Sequence, residues 1–373
     1  MTFHRHALSI ALLPLLLGLS ATADAVILRG TIGKQPVVAD FDFDSVAEVS
    51  GRYFNSKDLL DIKLSGTRES ENALRFETKP RAGGAAEHWR LERKGEELIG
   101  QLESGDGRKL PVRLRRIEEE DVPEASDPVL EEMRKDDLFE YLRVSELKLT
   151  RGQTETFGGH RVQWWEEPRS KVRMVEVLSG YDAATLTRVN RILRTRQWET
   201  VSTHFYCMSS PGSSSTVKTT LRLMDDRFVS ISRFTEFACD GEPANSGDAV
   251  INFDVRNGED LTLEDVLWLG KGEPPSKRDS DDGKRYRAYR SAERSPWIVA
   301  ALVKLYPDKM AADSETCNYK QPSGWDKVTW SMTPQGLLVS PFLPRNVRSC
   351  EYPGWATIPW KQVEAHSGKA LKR

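Results

Sequence analysis

The sequence has few of the residues that most often carry enzyme chemistry. Only six histidines occur among 373 residues, and four of them lie beyond residue 25: His88, His160, His204 and His366. None stands beside a recognisable serine or cysteine nucleophile, and the sequence has no phosphate-binding loop, dinucleotide fingerprint or EF-hand loop. The formal net charge of −2 gives no electrostatic reason to expect nucleic acid or anionic lipid as a partner. The sequence therefore predicts no catalytic residue, no cofactor and no nucleic-acid partner.

Long apolar runs are confined to the N-terminus. A short basic segment precedes the apolar run Ala7–Leu19, and Ala23-Asp24-Ala25 then supplies a small–x–small cleavage pattern. A transmembrane anchor is the alternative, but the run contains Pro14 and falls short of the ~20 residues that a span requires. We therefore predict a signal peptide over 1–25, cleavage near Ala25, no membrane span in the mature chain, and a periplasmic or secreted location.

Cysteine is also scarce, and all four cysteines lie in the C-terminal half: Cys207, Cys239, Cys317 and Cys350. An even number in an exported chain predicts two disulfides, for which three pairings are possible. Chain order favours Cys207–Cys239 and Cys317–Cys350, because each pair brackets one strand–turn–strand unit. A zinc site is the alternative, but no CxxC or HxxxH spacing occurs, so we predict no metal.

Residues 26–117 have the pattern of an all-β domain. Apolar and polar residues alternate along short segments, as in Val37–Phe43, and turn signals recur between them. This pattern predicts seven or eight strands in an antiparallel β-meander or small barrel. A hydrophobic–x–Gly element at Val49-Ser50-Gly51, Leu64-Ser65-Gly66 and Leu98-Ile99-Gly100 indicates a degenerate repeat.

Residues 118–126, with the sequence EEEDVPEAS, have the composition of a linker. The acidic run, the proline and the small residues favour a solvated hinge. The alternative is that the carboxylates bind a metal ion or a basic partner. We predict that this segment separates the all-β domain from the remainder of the chain.

Residues 127–373 are predicted to form an α+β domain with a mainly antiparallel sheet. Asp127 is a candidate N-cap for one helix, and Asp182 is a candidate N-cap for a second. A third helix is predicted from Ser295-Pro296 to Pro307. Strands are predicted at Arg161–Glu166, Val172–Leu178, Thr200–Cys207, Val217–Met224, Phe228–Cys239 and Ala249–Val255, and a hairpin at Lys327–Ser340.

Three groups of side chains are candidates for binding or catalysis in this part. Arg188, Arg191 and Arg194 could grip an anionic partner, although a solvated helix face is the simpler interpretation. Paired carboxylates can hydrolyse glycosides, and Asp254, Glu264 and Asp265 are the candidates, although turn and helix capping also explain them. An exposed aromatic platform that binds sugars or a protein could be formed by Trp325, Trp330, Trp355 and Trp360, although burial in a disulfide-stabilised core also explains these residues.

Several motifs between Thr200 and Val363 occur in a characteristic order. They are the strand Phe228–Phe237, Ile251-Asn252-Phe253-Asp254, Asn257-Gly258, Leu261-Thr262-Leu263, Thr333-Pro334-Gln335-Gly336-Leu337 and Ile358-Pro359. In these motifs and their spacing, residues 200–363 resemble the bacterial exported family called domain of unknown function 3298.

Domains of this family occur at the C-terminus of a lysozyme-sensing anti-sigma factor and beside a peptidoglycan deacetylase domain. The resemblance implies an α+β extracytoplasmic module that binds proteins or cell-wall material without catalysis of its own. One departure is that the family commonly has a Gly-Ala-His-type segment before the Asn-Phe-Asp strand, whereas this chain has Gly241-Glu242-Pro243-Ala244-Asn245. Any ligand role of that histidine does not carry over to this chain.

These observations predict an exported, non-catalytic binding protein that recognises a cell-wall component or a cell-wall-active enzyme. Its expected partner is a protein or peptidoglycan of the cell envelope. The alternative is a cell-wall glycan hydrolase that uses an unrecognised carboxylate site.

Overall fold

The structure is a computed structural model, and it describes residues 26–43, 47–78, 85–239, 241–275, 280–311 and 317–372. The predicted signal peptide lies outside the described residues. Within those ranges, no helix has both the length and the apolar character needed to cross a membrane. The described chain consists of a β-barrel followed by an α+β region, in agreement with the predicted fold class.

The N-terminal part is a closed barrel of eight antiparallel strands in the order β1 to β8. Each strand pairs with the next one, and β8 pairs back with β1 through registers such as Gly30↔Leu114. The predicted meander or small barrel is therefore confirmed as a barrel. Its strands are β1 (Val26–Ile32), β2 (Gln35–Asp42), β3 (Glu48–Asn55), β4 (Ile62–Arg68), β5 (Ala73–Thr78), β6 (Glu87–Lys94), β7 (Glu97–Glu103) and β8 (Lys109–Arg116).

The barrel interior is filled by side chains. Phe41, Phe76 and Trp89 are fully buried inside it, and the rings of Phe41 and Phe76 lie 5.0 Å apart. The indole of Trp89 packs edge-on against Tyr53 at 5.1 Å. A small eight-stranded barrel either fills its interior with side chains or holds one small ligand, and these aromatic rings place this barrel in the first class. A binding surface must therefore be sought outside the barrel interior.

The repeated glycines occupy inward-facing positions of the barrel wall. Gly51 lies opposite Phe41, Gly66 opposite Phe76, and Gly100 opposite Leu91, and directly opposed residues share one face of a sheet. A Cβ atom at Gly66 would come closer than 3.0 Å to the backbone of the neighbouring strand, a separation that real Cβ atoms essentially never show. The glycine repeat thus marks where neighbouring strands approach too closely for any side chain.

Replacing Gly66 with alanine should destabilise the barrel by about 2 kcal/mol, because the methyl group must displace backbone rather than a flexible side chain. The measurement is the free energy of unfolding in urea. Ser65→Ala is the matched control on the same strand, since Ser65 is exposed, and it should change stability by no more than about 0.5 kcal/mol. Equal stabilities for the two variants would contradict this account of the repeat.

The segment 118–126, predicted to be a solvated linker, joins the barrel to the rest of the chain and packs in part against it. Val122 and Ala125 pack against a buried apolar cluster, and the carbonyl of Pro123 accepts a 2.6 Å hydrogen bond from Tyr141. Asp121 pairs with Arg115 of β8 at 2.7 Å. The glutamates of the acidic run are exposed, whereas Val122 and Ala125 face the apolar cluster.

The second part of the chain contains nine strands and eight α-helices within its described residues. The strands are β9 (Thr150–Phe157), β10 (His160–Glu166), β11 (Arg173–Ser179), β12 (Ser214–Met224), β13 (Phe228–Ala238), β14 (Asn245–Asp254), β15 (Val328–Thr333), β16 (Gly336–Pro341) and β17 (Thr357–Pro359). The helices are α1 (Leu130–Asp136), α2 (Leu138–Val144), α3 (Ala183–Cys207), α4 (Leu263–Val266), α5 (Ser280–Tyr289), α6 (Ser295–Leu305), α7 (Pro307–Met310) and α8 (Trp360–Glu364).

The strands form three antiparallel sheets of three strands each, in the orders β11-β10-β9, β12-β13-β14 and β15-β16-β17. Helix α3 packs against β11 and shares a core with β10, β13 and β14. Helix α6 and the Cys317–Cys350 bridge pack with β15 to β17 in a second core. The mainly antiparallel α+β prediction agrees with this arrangement.

Two local predictions were wrong. The segment Thr200–Cys207 is the last part of α3 and not a strand, because Trp198, Val201 and Phe205 are buried at helical spacing and no glycine or proline interrupts the helix. The helix predicted after Asp127 is two short helices, α1 and α2. They are separated at Asp137, whose extended backbone lets its side chain accept a 3.0 Å hydrogen bond from the backbone N–H of Glu140.

Two buried polar side chains join the second and third sheets. The side chain of Asn252, in β14, donates to the carbonyl of Trp330 in β15 at 3.0 Å and accepts from Ser230 at 2.6 Å. The backbone N–H of Met332 in turn donates to the Ser230 hydroxyl at 3.1 Å. Both side chains are buried, so the polar position in the Ile251-Asn252-Phe253-Asp254 motif has a structural role.

Candidate functional site

Both predicted disulfides are present. Cys207–Cys239 ties the end of α3 to the end of β13, with Cα atoms 4.9 Å apart, and Cys317–Cys350 closes a 33-residue separation with Cα atoms 5.6 Å apart. The pairing favoured by chain order is confirmed, and no free cysteine occurs among the described residues. The two bridges border the same part of the molecule, since the segment 241–245 after Cys239 contacts the segment 342–352 around Cys350.

The four C-terminal tryptophans do not share one exposed face. Trp325 is fully buried, and its indole N–H donates to the carbonyl of Tyr319 at 2.9 Å, so it is not available to a ligand. This corrects the part of the predicted platform that relied on Trp325. Trp330, Trp355 and Trp360 are half-buried and pack against the same core, with Trp355 edge-on to Tyr319 at 5.4 Å.

A different aromatic residue is exposed beside this core. Phe342 follows β16 and has 53% of its surface exposed. Cations flank its ring, with Lys327 Nζ 5.7 Å and Arg348 Cζ 5.6 Å from the ring centroid. Arg345 lies exposed in the same loop. We call these four residues, Phe342, Lys327, Arg345 and Arg348, the Phe342 surface.

The loop that carries this surface is fixed by hydrogen bonds to neighbouring segments and by a disulfide. Glu351 is buried, and its carboxylate accepts a 2.7 Å hydrogen bond from the backbone N–H of Leu343. Arg348 donates to the side-chain oxygen of Asn245, and Arg345 donates to the carbonyl of Pro243 at 3.4 Å. The Cys317–Cys350 bridge closes the same loop. The Phe342 surface is thus preorganised on a fixed loop, so less conformational entropy of the loop is lost when a ligand binds.

Tyr352 extends this loop towards β13 and β14. It is one of three non-glycine residues in the described chain with a positive φ, at +57°, a conformation that costs energy for a bulky residue. Its ring packs edge-on against Phe234 at 5.2 Å, and its hydroxyl accepts a 3.1 Å hydrogen bond from the backbone N–H of Asp248. Burial raises the pKa of both Tyr352 and Asp248. The surrounding contacts therefore hold a strained residue at the edge of the Phe342 surface.

The three candidate carboxylates are each engaged by their own neighbours. The carboxylate of Asp254 accepts hydrogen bonds from the guanidinium of Arg256 at 2.5 Å and from the backbone N–H of Arg256 at 2.9 Å. These hydrogen bonds lower the pKa of Asp254. Glu264 is buried against Arg294. Asp265 forms a capping box with Thr262, accepting from its backbone N–H at 2.7 Å. These contacts match the capping roles that the sequence offered for Asp254 and Asp265.

The basic patch on α3 lines two adjoining clefts of about 470 and 610 Å³. Arg188 donates to the carbonyl of Val255 at 3.1 Å, Arg191 pairs with Glu132, and Arg194 lies 3.5 Å from Asp127. The guanidinium of Arg194 also covers the ring of Trp165. Each arginine thus links α3 to a neighbouring segment through a hydrogen bond or an ion pair. These contacts favour a structural role for the three arginines over binding of an anionic partner.

The histidines are dispersed. His160 is buried against Tyr181, and His204 lies on α3, where burial lowers its pKa. His366 packs edge-on against Trp297, and His88 lies on the outside of the barrel in β6. Across the part of the chain that the structure describes, no group of three histidine, cysteine or carboxylate side chains is arranged to hold a metal ion.

Sequence reasoning missed the Phe342 surface, although a signal was present. Pro341 and Pro344 bracket Phe342, and two arginines follow before Cys350. Proline ends a strand, so an aromatic residue between two prolines belongs to a loop, and loops carry binding residues more often than strands do. Comparison with known proteins finds no family model that matches the chain and no curated protein that matches it.

Proposed function

We propose that this chain is an exported, non-catalytic binding protein of the cell envelope that recognises cell-wall material through the Phe342 surface. The observation that carries the proposal is an aromatic ring with half of its surface exposed, flanked by cations and mounted on a disulfide-closed loop. Aromatic and arginine side chains dominate binding energy at recognition surfaces. An aromatic face can also stack on sugar rings.

Two further observations support the proposal. The two disulfides and the signal-like N-terminus suit an extracytoplasmic location. The resemblance of residues 200–363 to domain of unknown function 3298 suggests the same class of role. The segment 241–245, where that family commonly has a histidine, supports Arg345 and Arg348 in this chain.

Replacing Phe342 with alanine should weaken binding to purified peptidoglycan sacculi by about tenfold or more, because the exposed ring is the central apolar contact. The measurement is co-sedimentation of the mature protein with sacculi at a series of concentrations. Tyr206→Ala is the matched control, since Tyr206 is also a large exposed aromatic, at 43%, but lies on α3.

The expected result is saturable binding of the wild type and of Tyr206→Ala, and strongly reduced binding of Phe342→Ala. Circular dichroism and thermal melts should be the same for the three proteins, since both side chains are exposed. Absence of saturable wild-type binding would overturn the proposal. Equal binding by wild type and Phe342→Ala would remove the Phe342 surface from it.

A further inference from the structure

We infer that the Phe342 surface selects ligands that carry carboxylate groups, with Lys327 and Arg345 as their cations and the Phe342 ring as the platform for the sugar or apolar part beside them. This inference rests on the proposed function and deepens it. It assigns a chemical class to the ligand and separate roles to the three cations.

The charge balance of the surface is positive. Three cations, Lys327, Arg345 and Arg348, lie on it, and the carboxylate beneath them belongs to Glu351, which is buried and accepts from the backbone N–H of Leu343. Among the described residues, neither Lys327 nor Arg345 forms an ion pair, whereas most arginines on α3 do. Asp326, next to Lys327 in the sequence, accepts a 2.8 Å hydrogen bond from Ser295. A carboxylate of a ligand could therefore form ion pairs with Lys327 and Arg345 without displacing a carboxylate of the described chain.

The three cations differ in how firmly they are held. Arg348 donates to Asn245, lies 3.8 Å from Glu351 and has only 23% of its side chain exposed, so it positions the loop and the ring. Lys327 and Arg345 are exposed, and Arg345 has one long hydrogen bond of 3.4 Å to a carbonyl. These two side chains can turn towards a ligand at little cost, so we assign carboxylate recognition to them and a positioning role to Arg348.

The ligand that best fits both the cations and the aromatic ring of the surface is the peptide-substituted glycan of peptidoglycan. Its stem peptides carry free carboxylates beside sugar rings, so one ligand can satisfy the cations and the aromatic platform together. An acidic protein would satisfy the cations as well, and it is treated as a competing outcome of the test. A strongly basic protein is disfavoured, because like charges facing each other cost binding energy.

The experiment compares native sacculi with sacculi whose carboxylates have been converted to neutral amides. The wild type should bind the amidated sacculi about tenfold more weakly, and its binding to native sacculi should fall as NaCl is raised from 50 to 300 mM. The double variant Lys327→Gln with Arg345→Gln should bind native sacculi about tenfold more weakly, since each exposed cation accounts for roughly a two- to five-fold change.

The control removes the same two charges elsewhere. Lys34→Gln with Lys57→Gln changes two exposed lysines of the barrel and should leave binding unchanged. Binding that is insensitive to amidation and to the Lys327 and Arg345 changes would overturn the carboxylate assignment while leaving the proposed function intact. Absence of wild-type binding both to native sacculi and to an immobilised poly-glutamate peptide would overturn both. Binding to an immobilised poly-glutamate peptide without binding to sacculi would overturn peptidoglycan as the source.

Discussion

Replacing Arg143 with alanine should lower the free energy of unfolding by about 3–5 kcal/mol, one of the largest losses expected of any single substitution in this chain. Arg143 lies in α2 with its side chain fully buried where the barrel meets the second part of the chain. Its guanidinium donates to Asp61 at 2.5 Å, to Glu140 at 2.9 Å and to the carbonyl of Leu59 at 2.5 Å. Removing it leaves two carboxylates in a buried site without their principal cation.

The neighbours of this network explain why the loss should be large. Arg52 of β3 pairs with the same carboxylates, at 3.1 Å from Glu140 and 3.4 Å from Asp61, but it is the less buried of the two arginines. The hydroxyl of Ser202, in α3, donates to Glu140 at 2.5 Å. The network therefore connects the barrel wall, α2 and α3, and weakening it separates elements that are far apart in the sequence.

The control for this variant is Arg115→Ala. Arg115 also links the barrel to the following segment, through Asp121 at 2.7 Å, but its side chain is 55% exposed. Its loss should cost less than about 1 kcal/mol, because solvent screens an exposed pair. Urea unfolding followed by tryptophan fluorescence measures both variants. A loss below about 1 kcal/mol for Arg143→Ala would contradict the role given to the network.

Arg143→Ala should also change how the free energy of unfolding depends on pH. Burial alone would raise the pKa of Glu140, but the charges of Arg143 and Arg52 and the hydrogen bonds from Arg143 and Ser202 outweigh it and lower the pKa. A carboxylate with a lowered folded-state pKa stabilises the protein above its unfolded pKa, here 4.5, and this contribution is lost as pH falls through the folded-state value. Burial raises the pKa of Asp40, which acts in the opposite direction. Removing Arg143 should therefore make the acid loss of stability shallower than in the wild type.

Much of the fold could be predicted because local sequence patterns determine it. Alternation of period 2 indicated the barrel strands, and the Asp182 cap indicated the start of α3, where its side chain accepts from Ala184 and Thr185 at 3.0 Å. Closure of the barrel depends on pairing β1 with β8, whose paired residues are 80 or more positions apart in the sequence, and no local pattern predicts it. The error at Thr200–Cys207 has a local cause, since alternating Thr203, His204 and Phe205 suit a strand when they are considered without the helix before them.

The candidate site was harder to predict than the fold. Which tryptophan is buried depends on tertiary packing, so Trp325 could not be distinguished from Trp330 by sequence. The two prolines around Phe342 indicate a loop, but only the fold shows that its ring is exposed. The importance of Arg143 likewise depends on a partner as distant in the sequence as Asp61. Composition identifies the residue types that can bind or pair, whereas their burial and their partners come from the fold.

Replacing Glu264 with glutamine should destabilise the protein by about 3 kcal/mol, because it leaves the charge of Arg294 buried without its carboxylate. Both side chains are no more than 3% exposed, and they are in direct contact. Arg294 also donates to the carbonyl of Asp326 at 2.7 Å, and Tyr286 donates to Glu264 at 3.1 Å. The pair thus joins α4 to the π-helical turn Arg290–Arg294 that leads into α6.

A double variant separates the charge from the packing. Glu264→Leu with Arg294→Met removes both charges and keeps similar volumes, so it should recover most of the stability lost in Glu264→Gln. Asp254→Asn is the control for loss of a carboxylate, since its partner Arg256 is 43% exposed, and it should cost about 1 kcal/mol. Thermal and urea unfolding of the four proteins measure these differences.

This series also tests the alternative of a glycan hydrolase. A structural Glu264 predicts that stability falls in Glu264→Gln and that no variant changes the release of soluble fragments from peptidoglycan. A catalytic Glu264 predicts the reverse, with fragment release by the wild type that Glu264→Gln abolishes at unchanged stability. Because the carboxylate is buried against Arg294 and would have to leave that guanidinium to reach a substrate, we expect the first result.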